Sequence, residues 1–311
     1  GEKNDCIGEM IGGEYGGMKA MFTMMNNARI NVGSQGVQIA ERATQQASRF
    51  ATERVQSARA GSGDKTPVAI IEHPDVRRML LRSKALTQAA RALLYYATSS
   101  VDRATLGIEG AKSRAEILTP LIKGYGTDIG NEVASLGVQV HGGMGFIEET
   151  GAGQHFRDAR IAPIYEGTNG IQAADLVGRK LGLDGGEAMA TLISDIRAEA
   201  EGDESLLALA DTCEHIRQWM ASGDASIDDR LAGSYAFMTM LATATCGMLM
   251  KKQHRIASAE LAEGDDPFLK AKLVTTRYYL DHIVPEALGL KAAAMGGADI
   301  LYSLNSAELA G

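Results

Sequence analysis

Only six prolines interrupt the 311 residues, and aromatic side chains make up 5% of them, so the chain has little of what favours pleated strands or breaks long helices. The three cysteines, Cys6, Cys213 and Cys246, are scattered over the sequence with no C-x-x-C spacing. That speaks against a dithiol centre or a zinc ribbon and reads as free thiols in a reducing, cytoplasmic setting. Basic residues are not in excess: the net charge is −8 and the isoelectric point lies near 5.4, which disfavours nucleic acid or an anionic lipid surface as partner. A membrane span is not expected either, because the longest apolar stretch, Tyr235 to Met250, is interrupted by several Thr and falls short of the roughly 20 residues a spanning helix needs; it reads as a buried core helix. The six histidines (His73, His141, His155, His215, His254 and His282) show no metal-ligand spacing, and no H-E-x-x-H, P-loop, G-x-G-x-x-G or G-x-S-x-G pattern occurs, so no metal site is expected. The opening Gly1-Glu2-Lys3, without an initiator Met, points to a fragment or a processed product.

What is present is a helical texture. Hydrophobic residues make up 45% of the chain, dominated by Ala, Leu and Met, and they recur at helical spacing from Met18 through Phe22, Met25, Val32, Ile39, Ala43 and Phe50 to Val55. The Met18-Met21-Met25 stripe reads as core packing. Turn formers from Gly61 to Pro67 mark a loop. Pro74 opens a second helix running toward Thr105, and a third helical region follows Gly110, with Thr119-Pro120 predicted to be a fresh start and an end near Gly142-Gly143. After a Gly-rich, charged connection to Arg160, Thr168 is the expected cap of a helix reaching Leu181. The expected fold is all-α: a four-helix bundle over 1–183, then, past the linker-like Leu183-Asp184-Gly185-Gly186, a second helical bundle over 184–311 with breaks at Gly202-Asp203, Ser222-Gly223-Asp224 and Gly264 to Pro267.

Two clusters place Gly and polar residues where a bundle would use Leu: Gln139-Val140-His141-Gly142-Gly143-Met144-Gly145-Phe146 and Ile164-Tyr165-Glu166-Gly167-Thr168-Asn169-Gly170-Ile171-Gln172. From the residues alone, Glu166 is equally a carboxylate favoured by a helix N-terminus, Gln139 and Gly143 equally the end of a helix, and Arg29 and Arg54 ordinary surface cations. Taken as a pair, the clusters resemble the acyl-CoA dehydrogenase family over about residues 10 to 182. Within it they are most similar to the subgroup with a long C-terminal extension that acts on 3-methylmercaptopropionyl-CoA and related thioesters.

The resemblance implies an FAD-dependent enzyme that desaturates an acyl-CoA thioester to the 2-enoyl-CoA. Glu166 would take the α-proton while hydride passes to the flavin. Arg29, Tyr165 and Gly167 would meet the substrate, and Arg54, Gln139, Gly142, Gly143 and Thr168 the cofactor, Arg54 at its pyrophosphate across a dimer interface. Some family members carry the base beside the Arg matched by Arg29; here that position is Ala28, which cannot take a proton. Two matches depart from the family, Ser57 where several relatives have Phe and Gly170 where many have Gln. The implied partners are an acyl-CoA, an electron-transfer flavoprotein and further copies of the chain in a homodimer or homotetramer. The alternatives are an acyl-CoA oxidase, or a non-catalytic helical oligomerisation module if the chain acts without the N-terminal helical and β domains of the family.

Overall fold

The structure, a computed structural model, describes residues 3–262 and 264–311; Gly1, Glu2 and Glu263 lie outside the described residues. Helix α1 spans Gly17–Glu53, α2 Pro74–Thr105 and α3 Ala111–His141. Helix α3 is buried on every side from Ile117 to Thr127, the pattern of a helix at the centre of a bundle rather than on its surface. Helix α1 runs parallel to it, and the two backbones meet through small residues. A Cβ at Gly36 would lie 2.3 Å from the Gly126 carbonyl oxygen, and one at Gly130 2.9 Å from the Gly36 Cα. Only glycine permits that approach. Helix α2 returns antiparallel, with Arg91 paired to Glu41 at 2.6 Å.

The expected break at Pro120 is absent. Helix α3 runs through it, and the Thr119 hydroxyl donates to the Ala115 carbonyl at 2.8 Å instead of capping a new helix. Burial of both flanking turns against neighbouring helices outweighs the one backbone hydrogen bond that Pro120 forgoes. The turn formers from Gly61 to Pro67 do form a connection, but they join two short antiparallel strands, β1 (Val55–Ala58) and β2 (Pro67–Ala69), too brief to show a period-two pattern. The Met stripe is corrected as well: Met18 is 62% exposed, and Met21 and Met25 are only half-buried, the first turns of α1 being covered in part, by Arg179 over the Phe22 ring at 5.5 Å.

After α3 come the short helices α4 (Gly143–Phe146) and α5 (Ala152–Ala159), the latter inside what the sequence suggested was irregular, and then α6 (Asn169–Asp175), which continues into a π-helical turn, Leu176–Lys180. Thr168 caps α6 as expected, its hydroxyl accepting from the Ile171 amide at 3.1 Å. The chain then reverses at Asp184, Gly185 and Gly186, all with positive φ.

Helices α7 (Glu187–Glu199), α8 (Glu204–Ala221), α9 (Ile227–Leu261), α10 (Pro267–Tyr278), α11 (Val284–Leu288), α12 (Lys291–Met295) and α13 (Ser306–Ala310) follow. The apolar stretch from Tyr235 to Met250 is the buried centre of α9, which packs on α2, α3, α6, α7, α8 and α10. One hydrophobic cluster therefore runs from Leu93 and Ile122 through Phe237 and Leu241 to Val284. Fully buried Tyr279 carries the contact across, its hydroxyl 3.0 Å from that of Tyr125. Among the described residues no helix is long and apolar enough to cross a membrane.

Candidate active site

The segment between α5 and α6 is held in an unusual turn. Glu166 sits at φ 55° and Gly167 at φ 82°, and for a side chain as large as Glu the left-handed region costs on the order of 1–2 kcal/mol. The surroundings over-determine that conformation. The Asn169 amide donates to the Pro163 carbonyl at 2.9 Å, and the Tyr165 amide to the Ile161 carbonyl at 3.2 Å. The Gln172 side-chain amide donates to the Gly167 carbonyl at 3.3 Å. Tyr165 donates its hydroxyl to Gln35 on α1.

Two buried cations converge beneath this turn. Arg29, 4% exposed, lies on α1 with its guanidinium 3.7 Å from Asp175 and 3.5 Å from the Asn26 side-chain oxygen. One of its terminal nitrogens lies 3.8 Å from where a Cβ at Gly167 would stand. Lys123, on α3, is fully buried and donates to the Asn169 Oδ1 at 2.9 Å. Burial lowers its pKa to about 8, opposed by the carboxylate of Asp128, with Arg29 and Glu166 also facing it. Two buried polar atoms here lack a partner: the Arg29 Nε and the Gln172 Oε1. Buried polar groups are ordinarily paired.

The remaining expected site residues lie elsewhere. Helices α1 and α3 are parallel and their C-terminal ends adjoin, with Phe50 stacked on His141 at 4.4 Å. Arg54, the exposed C-cap residue of α1, therefore sits at the same end of the bundle as exposed Gln139, Gly142 and Gly143. Arg29 is buried in the core, whereas Arg54, just past the end of α1 at Glu53, is exposed. From Arg29 to the end of α1 is roughly 35 Å at 1.5 Å per residue. The structure thus resolves the expected residues into two groups: Arg29, Tyr165, Glu166, Gly167 and Thr168 near one end, and Arg54, Gln139, Gly142 and Gly143 at the other.

The sequence reading missed Lys123, Asp128, Asn169, Gln172 and Asp175. A signal existed for Lys123: a single cation in a stretch otherwise free of charge, Ile117 to Thr127, on a helix buried all round.

The family model for "Acyl-CoA dehydrogenase, C-terminal domain" matches residues 15–181. This chain belongs to the acyl-CoA dehydrogenase family. A second model, "Acetyl-CoA dehydrogenase C-terminal like", matches residues 188–305. Among relatives, the chain is 43% identical over 303 residues to 3-methylmercaptopropionyl-CoA dehydrogenase of Ruegeria pomeroyi, covering 92% of this chain and 51% of that protein. Among solved structures, Caenorhabditis elegans ACDH-11 in complex with C11-CoA superposes with a TM-score of 0.71 at 18% identity, over 96% of this chain and 50% of that one. An acyl-CoA dehydrogenase from Bacillus anthracis complexed with FAD gives 0.65 at 20% identity, over 93% and 51%. At these identities the two structures establish the shared helical fold. The chain spans about half the length of the acyl-CoA dehydrogenases it matches.

Proposed function

We propose that this chain is the base-bearing helical part of an FAD-dependent acyl-CoA dehydrogenase that converts an acyl-CoA to its 2-enoyl-CoA. The observation that carries the reading is the Glu166 turn: a half-buried Glu on a left-handed backbone, followed by a Gly167 that is also left-handed and lies beside the buried Arg29 guanidinium. Strain of this kind concentrates where a side chain must be aimed.

In this reading Glu166 removes the proton from the α-carbon of the thioester. The C–H electron pair becomes the Cα=Cβ bond, and the proton stays on the carboxyl oxygen. The Arg29 guanidinium, fixed by Asp175 and Asn26, orients the turn and stabilises the charged base before transfer. Gly167 leaves the backbone bare beside it, so that a planar group can come close, and amides of the turn can polarise the thioester carbonyl as charge develops on it. When bound, FAD would supply the acceptor for the hydride leaving the β-carbon.

The residues present fit that cofactor. The unpartnered Arg29 Nε and Gln172 Oε1 lie at the turn, while the cation of Arg54 and the exposed Gln139, Gly142 and Gly143 form a polar, sterically open end where a Cβ at either glycine would meet nothing within 4 Å. Because the two ends lie roughly 35 Å apart, farther than one FAD reaches, Thr168 would face the flavin bound on its own chain, while Arg54 would face the pyrophosphate, and Gln139 with the two glycines the adenylate portion, of the FAD held by a neighbouring subunit across a dimer interface. Electrons would pass on to an electron-transfer flavoprotein, and the enzyme would work as a homo-oligomer.

The decisive experiment uses the flavin-loaded holoenzyme under anaerobic conditions. Adding a saturated acyl-CoA should bleach the flavin spectrum, and Glu166→Gln should slow bleaching by a factor of at least 10³; bleaching at an unchanged rate in that variant refutes the assignment of the base.

A further inference from the structure

Helix α9 brings Tyr235 to the polar groups beneath the Glu166 turn. The Tyr235 hydroxyl donates to the Asp128 Oδ2 at 2.6 Å. The other oxygen of that carboxylate accepts from the Asn169 Nδ2 at 2.8 Å. Asn169 is the first residue of α6, its backbone amide closes the turn on Pro163, and it lies three residues past the base.

The Asn169 side chain is fully committed. Its oxygen accepts from the Lys123 ammonium, and its amide nitrogen also donates to the Gly124 carbonyl at 3.1 Å. Lysine only donates and a carboxylate only accepts, so the amide can face just one way. Burial pushes the Asp128 carboxyl up, against the hydrogen bonds from Tyr235 and Asn169 and the charge of Lys123. A carboxylate so placed depends on each donor to stay ionised, and hydrogen bonds to a charged group are the stronger kind. Tyr235 itself is 42% exposed. Its ring lines a cavity of about 420 Å³ with Asp128, Arg160, Ile164 and Asn169, so the hydroxyl could be solvated and is instead spent on Asp128.

We propose that Tyr235 is a positioning residue for the Glu166 turn, acting through Asp128 and Asn169. The C-terminal segment thereby holds the base in place as well as packing against the first bundle. This rests on the reading of Glu166 as the base, and it predicts that a change on α9 is felt at residues 164–172.

Two measurements test it. In the full 311-residue chain, Tyr235→Phe keeps the ring and removes the hydroxyl. Amide hydrogen exchange over 164–172 should then accelerate about tenfold or more, with the buried amides of α3 and α9 within about twofold of the unsubstituted chain. Asp128→Asn should act likewise, and the double variant should exchange no faster than Asp128→Asn alone, since both substitutions cut one path. In the flavin-loaded holoenzyme, the first-order rate constant for anaerobic flavin reduction should fall at least threefold in Tyr235→Phe, with half-saturation by acyl-CoA within about twofold. A rate constant does not depend on the fraction of molecules folded, so a merely structural role would leave it unmoved. Unchanged exchange over 164–172, an unchanged reduction rate constant, or multiplicative effects in the double variant would each overturn the proposal. Failure of the base assignment reads out separately, in the bleaching of Glu166→Gln.

Discussion

The meeting of α1 and α3 gives a sharp prediction about stability. A methyl group placed on Gly36 would stand 2.3 Å from the Gly126 carbonyl oxygen and 2.7 Å from the Thr127 Cα. Ordinary van der Waals contact begins near 3.4 Å, so the two helices must part by about 1 Å. Both obstructing atoms are backbone, and neither can rotate away. Forcing extra volume into a packed core costs about 1–3 kcal/mol and sometimes more, while Ala recovers about 1 kcal/mol of helix propensity over Gly. With rigid backbone on the other side the cost falls in the upper part of that range, about 2–3 kcal/mol, so Gly36→Ala should destabilise the chain by about 1–2 kcal/mol net, read as a lower urea midpoint at unchanged slope. Gly178→Ala is the control, because a Cβ there meets nothing within 4 Å, and with the propensity gain unopposed it should be more stable than the unsubstituted chain by up to about 1 kcal/mol. A Gly36→Ala variant as stable as the unsubstituted chain would refute the close approach.

The left-handed backbone of Glu166 predicts that Glu166→Gly is more stable than Glu166→Ala, by about 1 kcal/mol, with equal urea midpoints counting against the strain. Lys123 gives a pH dependence of defined sign. Its pKa of about 8 in the fold lies below the ordinary 10.5, so between those values the unfolded chain holds a proton that the folded chain has released, and stability rises with pH. Measured as the unfolding free energy of the unsubstituted chain minus that of Lys123→Met, the gain from pH 8 to 10.5 should approach about 3 kcal/mol, since contributions of tyrosines and cysteines common to both cancel; a flat difference would show that burial does not lower the Lys123 pKa.

Much of the fold was legible in the sequence because its signals are local. Pro74 at the first turn of α2, Thr168 capping α6 and the apolar centre of α9 each act within a turn or two of helix, and each lies where the pattern puts it. The errors came where a long-range contact outweighed a local one. Thr119-Pro120 has the local form of a helix start, yet burial of α3 on all sides carries the helix through it. The Met stripe at the start of α1 has the spacing of a core face, but the packing opposite it is partial and leaves Met18 exposed and Met21 and Met25 half-buried. The strand pair at Val55–Ala58 and Pro67–Ala69 is too short for alternation to register.

The candidate site divides in the same way. Its motifs, Gln139 to Gly143 and Tyr165 to Thr168, are runs of neighbouring residues, so the sequence by itself determined the family and pointed to Glu166, Arg29 and Arg54 as residues of interest. Only the tertiary structure decided that Arg29 is buried beside Gly167 while Arg54 stands exposed at the far end of α1. It alone brought Lys123, Asp128 and Asn169 together, residues 41 to 46 positions apart across α3 and α6, with Tyr235 a further 107 positions from Asp128. A sequence records which side chains exist and how they repeat along one helix. Which buried charge faces which amide depends on how several helices cross, and that is set by packing at positions such as Gly36 and Gly126, which carry no chemistry of their own.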